Sequence, residues 1–282
     1  EIRLRLSSHG PTIFRIIKDS FPYALFIFLM SVYIRADMQL LKWISGAEQA
    51  GIYAASYRLL DVSINMFGSM FAAVLLPLFG KMLSQNEDVN QLVKLCVNIM
   101  LPVSFIVSVA AVFFGVPIMQ LLYPAATPEW GLIFGWVMAA FPGFSIMYVY
   151  STLLTANGDL KILSLVAFVS AVINILLNIY LIQHRQALGA AIACAVTESL
   201  AGIGYIIFCV RKLKVSIETK WVMAHLLFLC LVSAAAFGIT LLHFSWTIGL
   251  IIFGLLSALL VFMFRFISIS GVKQLFLSRQ RG

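Results

Sequence analysis

Eight long apolar runs, each sufficient to cross a membrane and joined by loops that are almost all very short, leave this chain few folds to adopt. They lie near residues 20–44, 50–79, 91–121, 128–155, 160–183, 187–210, 221–243 and 246–268. A hydrocarbon core about 30 Å thick requires roughly 20 residues of helix, and every run meets that length. Apolar residues make up 62% of the chain and charged residues 11%, with a mean hydropathy of +1.03. A water-soluble domain of this length cannot place so much apolar surface on its outside. The expected fold class is an all-α, polytopic transmembrane bundle of eight spans.

The cations give the orientation. With the N-terminus in the cytoplasm, fifteen of the nineteen Lys and Arg residues fall on the cytoplasmic side, among them Lys81, Lys94, Lys161 and the group Arg211, Lys212, Lys214 and Lys220. Only Lys42 and Arg185 fall on the opposite side, and Arg35 and Arg58 lie inside spans. Positive charge near span ends is retained in the cytoplasm, so both termini are expected there. The same placement accounts for the net charge of +8 and the pI near 9.5. These charges flank membrane helices, so their bland partners are anionic membrane lipids, and nucleic-acid binding is set aside.

Cys96, Cys194, Cys209 and Cys230 all lie in or beside apolar runs, without metal-ligand spacing, and read as small packing residues. The chain opens on Glu1 in a polar, basic stretch rather than a signal peptide. That opening is expected of a chain beginning inside a longer protein. Residues 1–19 are basic and amphipathic, read either as an interfacial helix starting at Pro11 or as a solvated linker.

Further on, Pro102 and the pair Pro142-Gly143 interrupt the third and fourth spans, where neighbouring helices must re-satisfy the freed carbonyls. Asn174 and Asn178, four apart on the fifth span, share one face and either bond to a neighbouring helix or line a polar cavity. The sixth span opens on the small-residue run ALGAAIACAV, which permits close helix approach, and continues to Glu198, a carboxylate that must face protein or water. Between Trp221 and Phe264 there is no Lys, Arg, Asp or Glu, only His225 and His243, so the last two spans read as lipid-facing and structural.

An enzyme is not expected. The loops leave no room for a soluble catalytic domain, and no phosphate loop, nucleophile elbow or His-Glu-x-x-His motif occurs. The histidines His9, His184, His225 and His243 are too dispersed for a metal site, and no cofactor is implied. Charges buried inside spans favour transport.

Three stretches carry a family resemblance. RADMQLLKWISGAEQAGIYAASYRLLD, from Arg35 to Asp61, resembles the hairpin of polysaccharide flippases. The pair Asn174-Ile-Leu-Leu-Asn178 and the element LGAAIACAVTE, from Leu188 to Glu198, resemble two further family elements. Together they are similar to the Wzx-type branch of the multidrug/oligosaccharidyl-lipid/polysaccharide exporter superfamily. One departure is His184-Arg185-Gln186-Ala187, where relatives often have a Tyr-Gly turn.

The resemblance implies two six-helix lobes with a two-helix tail. On that pattern residues 1–19 form the interlobe linker and 20–210 the C-terminal lobe. A basic cytoplasmic loop over 211–220 leads to two peripheral helices over 221–268 and a basic tail over 269–282. The partner implied first is the missing N-terminal lobe of the same protein. The function implied is flipping of an undecaprenyl-diphosphate-linked oligosaccharide across the bacterial cytoplasmic membrane by alternating access, for polysaccharide or O-antigen export, with H+ or Na+ as a coupling ion. Cationic side chains would pair with the diphosphate. The alternatives are a drug or cation antiporter of the same superfamily, expected to have an acidic cavity, and a non-transporting scaffold of glycan assembly, expected to have none.

The candidate substrate-binding residues are Arg35, Asp37, Arg58, Asp61, Asn174 and Asn178. Counting from a turn near residue 47, the four charges lie roughly 15–21 Å along their helices, deep in the bilayer. Two antiparallel helices are expected to bring Asp37 level with Arg58 and Arg35 near Asp61. The expected result is either a structural ion-pair network or an arginine left facing the cavity to engage the diphosphate.

Overall fold

A backbone inside hydrocarbon must satisfy its own polar groups, which restricts a spanning chain of this kind to helices. In the computed structural model all regular structure is helical among the described residues, which run continuously from 36 to 266 and include, before them, positions 14, 18, 21, 24, 27 and 28. Arg35 and the basic tail over 269–282 lie outside the described residues, as does the linker over 1–19 apart from positions 14 and 18.

Helix α1 (36–45) and helix α2 (Ala47–Ile64) meet at Gly46, whose φ of 91° reverses the chain with a single non-helical residue. A π-helical segment, Asn65–Ser69, joins α2 to α3 (Met70–Ser84). Then follow α4 (Asn90–Leu122), α5 (Pro128–Met138), α6 (Phe141–Ala156), α7 (Leu160–Leu213), α8 (Thr219–Leu241) and α9 (Trp246–Met263). Among the described residues, five helical segments are long and apolar enough to cross a membrane: α4, α5 together with α6, α7, α8 and α9.

Helix α7, with 54 residues, is far too long for one crossing. It turns at Gln186, where φ 49° and ψ −128° interrupt the helix. Eight residues of continuous helix would separate Leu181 from Gly189 by about 12 Å. Instead a Cβ on Gly189 would lie 2.2 Å from the Leu181 carbonyl oxygen, so the two arms fold back on each other. These arms are the runs 160–183 and 187–210 of the sequence.

The break between α5 and α6 has a local cause. Pro142 has no N–H to return to the carbonyl of Met138, four residues earlier. The hydroxyl of Ser108 on α4 donates to that carbonyl at 2.6 Å, so the freed acceptor is satisfied from a neighbouring helix. One residue on, Gly143 lets α6 cross α7 with almost no gap: a Cβ there would lie 2.7 Å from the Glu198 carbonyl carbon.

Helices α8 and α9 pack against α4 and each other. One face of α4 grips the segment leading into α8 at helical spacing. Asn90 accepts from the Ser216 amide at 2.7 Å, Lys94 pairs with Glu218 at 2.5 Å, and Asn98 accepts from the Trp221 indole at 2.6 Å. Lys212 pairs with Asp159 at the same end of the bundle. At the other end, beside Gly46, the Ala187 amide donates to Gln49 at 3.3 Å and levels the α1–α2 turn with the bend of α7. Cys96, Cys194 and Cys209 are free and buried, and Cys230 is free and exposed.

Candidate functional site

A buried polar seam joins α1, α2 and α7. The carboxylate of Asp37, on α1, accepts from the Tyr53 hydroxyl of α2 at 2.8 Å and from the Asn178 amide of α7 at 2.7 Å. The same Asn178 amide is also 3.0 Å from the Asn174 backbone carbonyl and 3.1 Å from its side-chain oxygen. Asp37, Tyr53, Asn174 and Asn178 are each at least 95% buried. Helix spacing explains the grouping: Asn174 and Asn178 share a face of α7, and Asp37 lies about 13–14 Å from Gly46, close to the roughly 12 Å of Asn178 below Gln186.

The seam continues along α2. Tyr57 lies four residues beyond Tyr53, with ring centroids 5.7 Å apart. It then reaches Glu198 on the second arm of α7, a carboxylate with 1% of its surface exposed. Tyr57, Tyr148 on α6 and Tyr205 on α7 all lie within electrostatic range of Glu198.

The expected pairing of Asp37 with Arg58 does not form. Matching depths alone ignored the rotation of the helix. Tyr53 faces Asp37, and five residues at about 100° each carry Arg58 about 140° round α2. Arg58 is exposed, and among the described residues it takes part in no ion pair. The expected partner of Asp61, Arg35, is outside the described residues. Asp61 itself is exposed and accepts from the Asn65 amide at 3.0 Å.

Arg58 and Asp61 of α2 and Asn65, the first residue of the π-helical segment, instead form an exposed stripe at i, i+3, i+7 spacing. Gly51 continues it toward the turn, and Val62 and Met66 border it. Below the level of Gln49 this stripe runs from roughly 13 to 24 Å, near the middle of a bilayer. Of the six candidate residues, then, Asp37, Asn174 and Asn178 are gathered in the buried seam and Arg58 and Asp61 on the exposed face, with Arg35 not described.

The residues missed in the sequence are Tyr53, Tyr57, Tyr148 and Asn65. The two tyrosines of GIYAASYRLLD, four apart and six before and two before Leu59, were legible as a single polar face, but phenols are easily absorbed into an apolar pattern. No cluster of three His, Cys, Asp or Glu side chains occurs among the described residues. The Asp37 cluster offers oxygen atoms, the donor set of a hard cation or a proton rather than of zinc. A shallow groove lined by Trp136, Ala139, Ala195, Val196, Ser199 and Leu200 has one hydroxyl, that of Ser199, which is bonded to the Ala195 carbonyl at 2.8 Å, and otherwise only the indole N–H of Trp136. It has no charged group with which to orient a diphosphate.

A family model described as lipid II flippase MurJ matches residues 2–262 of the chain. A solved structure described as lipid II flippase MurJ in an inward closed conformation superposes with a TM-score of 0.70 at 19% sequence identity. The match covers 93% of this chain and 56% of that one, so the chain spans about half the length of the solved relative. No curated protein matches.

Proposed function

We propose, on the premise that this chain belongs to the lipid II flippase MurJ family, that it supplies one wall of a transporter which flips a lipid-linked saccharide across the bacterial cytoplasmic membrane. The motif resemblance named the Wzx-type branch, whereas the family match falls on lipid II flippases. The two readings share a lipid-linked, diphosphate-bearing substrate and part at the head group. Lipid II, the substrate in the family's name, is the head group we propose, in place of an O-antigen oligosaccharide.

The observation that carries the proposal is the exposed stripe of Arg58, Asp61 and Asn65. A charged side chain in mid-bilayer costs about 2.5–3.5 kcal/mol when it faces lipid, so such a stripe belongs against water or another part of the protein. The space between this wall and the rest of the full-length transporter meets that need. There Arg58 can engage a diphosphate through paired N–H donors, a geometry that lysine does not reproduce. Asp61, one helical turn along, holds Asn65 and limits how far the guanidinium can swing. The stripe carries one charge of each sign, so it is the family, not the sign of the face, that selects a lipid-linked anion over an organic cation.

The basic ends of α4, α7 and α8 support a cytoplasmic location for that end of the bundle, with the Gly46 turn outside. Transport against a gradient also needs a coupling ion, H+ or Na+, and the carboxylates of the buried seam can hold one away from lipid.

The test is reconstitution of the full-length protein in liposomes with fluorescent lipid II, or with an undecaprenyl-diphosphate oligosaccharide that lacks peptide. Arg58→Ala should slow lipid II flipping by at least about 10-fold, the loss of roughly 1.4 kcal/mol of a charge-assisted contact. Arg58→Lys should recover only part of it. Unchanged flipping in Arg58→Ala would overturn the role of the stripe, and a preference for the peptide-free substrate would return the head group to the polysaccharide branch.

A further inference from the structure

The segment that follows α9 turns back onto the bundle. Arg265, at φ 52°, takes the left-handed conformation, and its amide donates to the Phe262 carbonyl at 3.1 Å, so the chain reverses and returns Phe266 to α8. The centre of the Phe266 ring lies 4.5 Å from that of the His225 imidazole, with the planes 33° apart, and 5.3 Å from that of Phe228 at 86°. Phe264 completes the cluster, 5.7 Å from Phe228 and 5.4 Å from Phe266. Phe266 and Phe228 are both buried.

His225 is the one titratable member of this cluster. It is 4% exposed, and the Trp221 indole meets it edge-on at 4.9 Å. Its Nδ1 is 2.9 Å from the Trp221 carbonyl oxygen, which can only accept, so Nδ1 carries the hydrogen and Nε2 holds a bare lone pair. That Nε2 is buried and has no hydrogen-bond partner among the described residues. The charged and titratable side chains on the elements packed here are Lys94 and Cys96 at this end of α4, Glu218 and Lys220 at the start of α8, and Arg265 beyond α9, which itself has none. Lys94 and Glu218 are paired with each other, and the imidazole bonds only to Trp221 among the described residues.

A proton passed from solvent to Nε2 turns the lone pair into a charged N–H donor with no acceptor to receive it. The face of Phe266 returns part of that cost as a cation–π contact. A buried charge without hydrogen bonds remains expensive all the same, and the imidazolium gains them only where water reaches it. We infer that His225 and Phe266 form a pH-operated clasp: with a neutral imidazole the segment after α9 is docked on α8, and protonation releases it. The clasp goes beyond the flippase reading and does not depend on it. A released imidazole binds its proton at the ordinary value of about 6.5, and whatever binds the released form alone draws the segment off the helix. Docking is therefore at full strength above that value and weakens as pH falls below it, by up to about 10-fold per pH unit. The chain beyond Phe266 carries Lys273, Arg279 and Arg281, so the clasp governs where a basic tail is anchored.

Hydrogen–deuterium exchange of the purified full-length protein tests this on the peptide that carries Phe266, with His225→Phe measured beside wild type at each pH. The variant keeps an aromatic ring and cannot titrate, and the wild-type-to-variant ratio of rates removes the intrinsic pH dependence of exchange. From about pH 8 to about pH 5, the range over which histidine changes charge, that ratio should rise by at least about 10-fold, equivalent to roughly 1.4 kcal/mol of lost docking. A ratio that is the same at both values would overturn the inference. His225→Gln, neutral and polar, serves as the reference if melting shows that His225→Phe does not fold. Phe266→Ala should exchange fast at both pH values, and protection equal to that of wild type at the higher pH would also overturn the clasp.

Discussion

Replacing Ser108 by alanine removes the only donor that reaches the Met138 carbonyl from outside its own helix among the described residues. The group left behind is a buried backbone acceptor, freed by Pro142 and now without a partner. An unsatisfied buried polar group costs about 1–3 kcal/mol. Hydrogen bonds between membrane helices have averaged nearer 0.6, with a ceiling of about 1.7 kcal/mol. Because Met138 is 2% exposed and Ser108 6%, water cannot replace the hydroxyl, and we expect Ser108→Ala to destabilise by about 1–1.5 kcal/mol. The reasoning makes a second, sharper demand. In a Pro142→Ala background the new N–H at 142 can bond to Met138 in the ordinary i→i−4 manner, so the same Ser108→Ala change should cost less than about 0.5 kcal/mol. Reversible denaturation of the four detergent-purified proteins gives the double-mutant cycle directly. Additivity within about 0.3 kcal/mol, the behaviour of independent sites, would refute the claim that serine replaces what proline took away.

Gln186→Gly should raise the melting temperature. The φ of 49° and ψ of −128° at Gln186 cost a side chain of order 1–3 kcal/mol, glycine gives back about 0.5–1 kcal/mol in entropy, and a net gain of about 1 kcal/mol corresponds to roughly 2–4 °C; a lower melting temperature counts against this reading of the bend. Acidification should loosen the segment that docks α8 on α4, because the hydrogen bond and charge of Lys94 hold the Glu218 carboxyl below its ordinary range. A depressed folded value gives stability that is present above the ordinary carboxylate pKa and lost as pH falls through the folded value; the pair is exposed and the effect small, so thermal melts of wild type and Lys94→Gln across the acid range should diverge, and superimposable profiles would dismiss the contact.

Among the described residues, hydropathy and run length matched the helices from α4 onward, including the reversal between 160–183 and 187–210 that an unbroken stretch of 54 helical residues conceals. Helical spacing put Asn174 beside Asn178, and the run ALGAAIACAV foretold the tight approach at Gly189. What sequence reasoning mishandled was rotation. Depth along the helix matched Asp37 to Arg58, yet angle decides which residue faces a neighbour, and Tyr53 and Arg58 point about 140° apart. The bond from Ser108 was legible in half: Pro142 announced a freed carbonyl at Met138, but which helix would answer depended on a packing that no local pattern encodes. Tyr53 and Tyr57 were hidden for a chemical reason, since phenols count as apolar in a hydropathy scan and as hydrogen-bonding groups in a seam.

Helix α2 is where the two polar populations meet, and its periodicity explains why both must be there. Its Tyr53 turns toward α1, where the hydroxyl bonds to Asp37, and the Tyr57 ring lies beside that of Tyr53. Its Arg58 and Asp61 turn away, with Asn65 just past its end, where two charges facing hydrocarbon would cost about 5–7 kcal/mol together. No isolated bundle in lipid gains from that arrangement, so the outward face implies a wetted gap or another part of the protein against it. The inward face carries a different consequence. On the proposed reading, a head group that engaged Arg58 would act on the same helix that carries Tyr53 into the buried seam with Asp37 and Asn178.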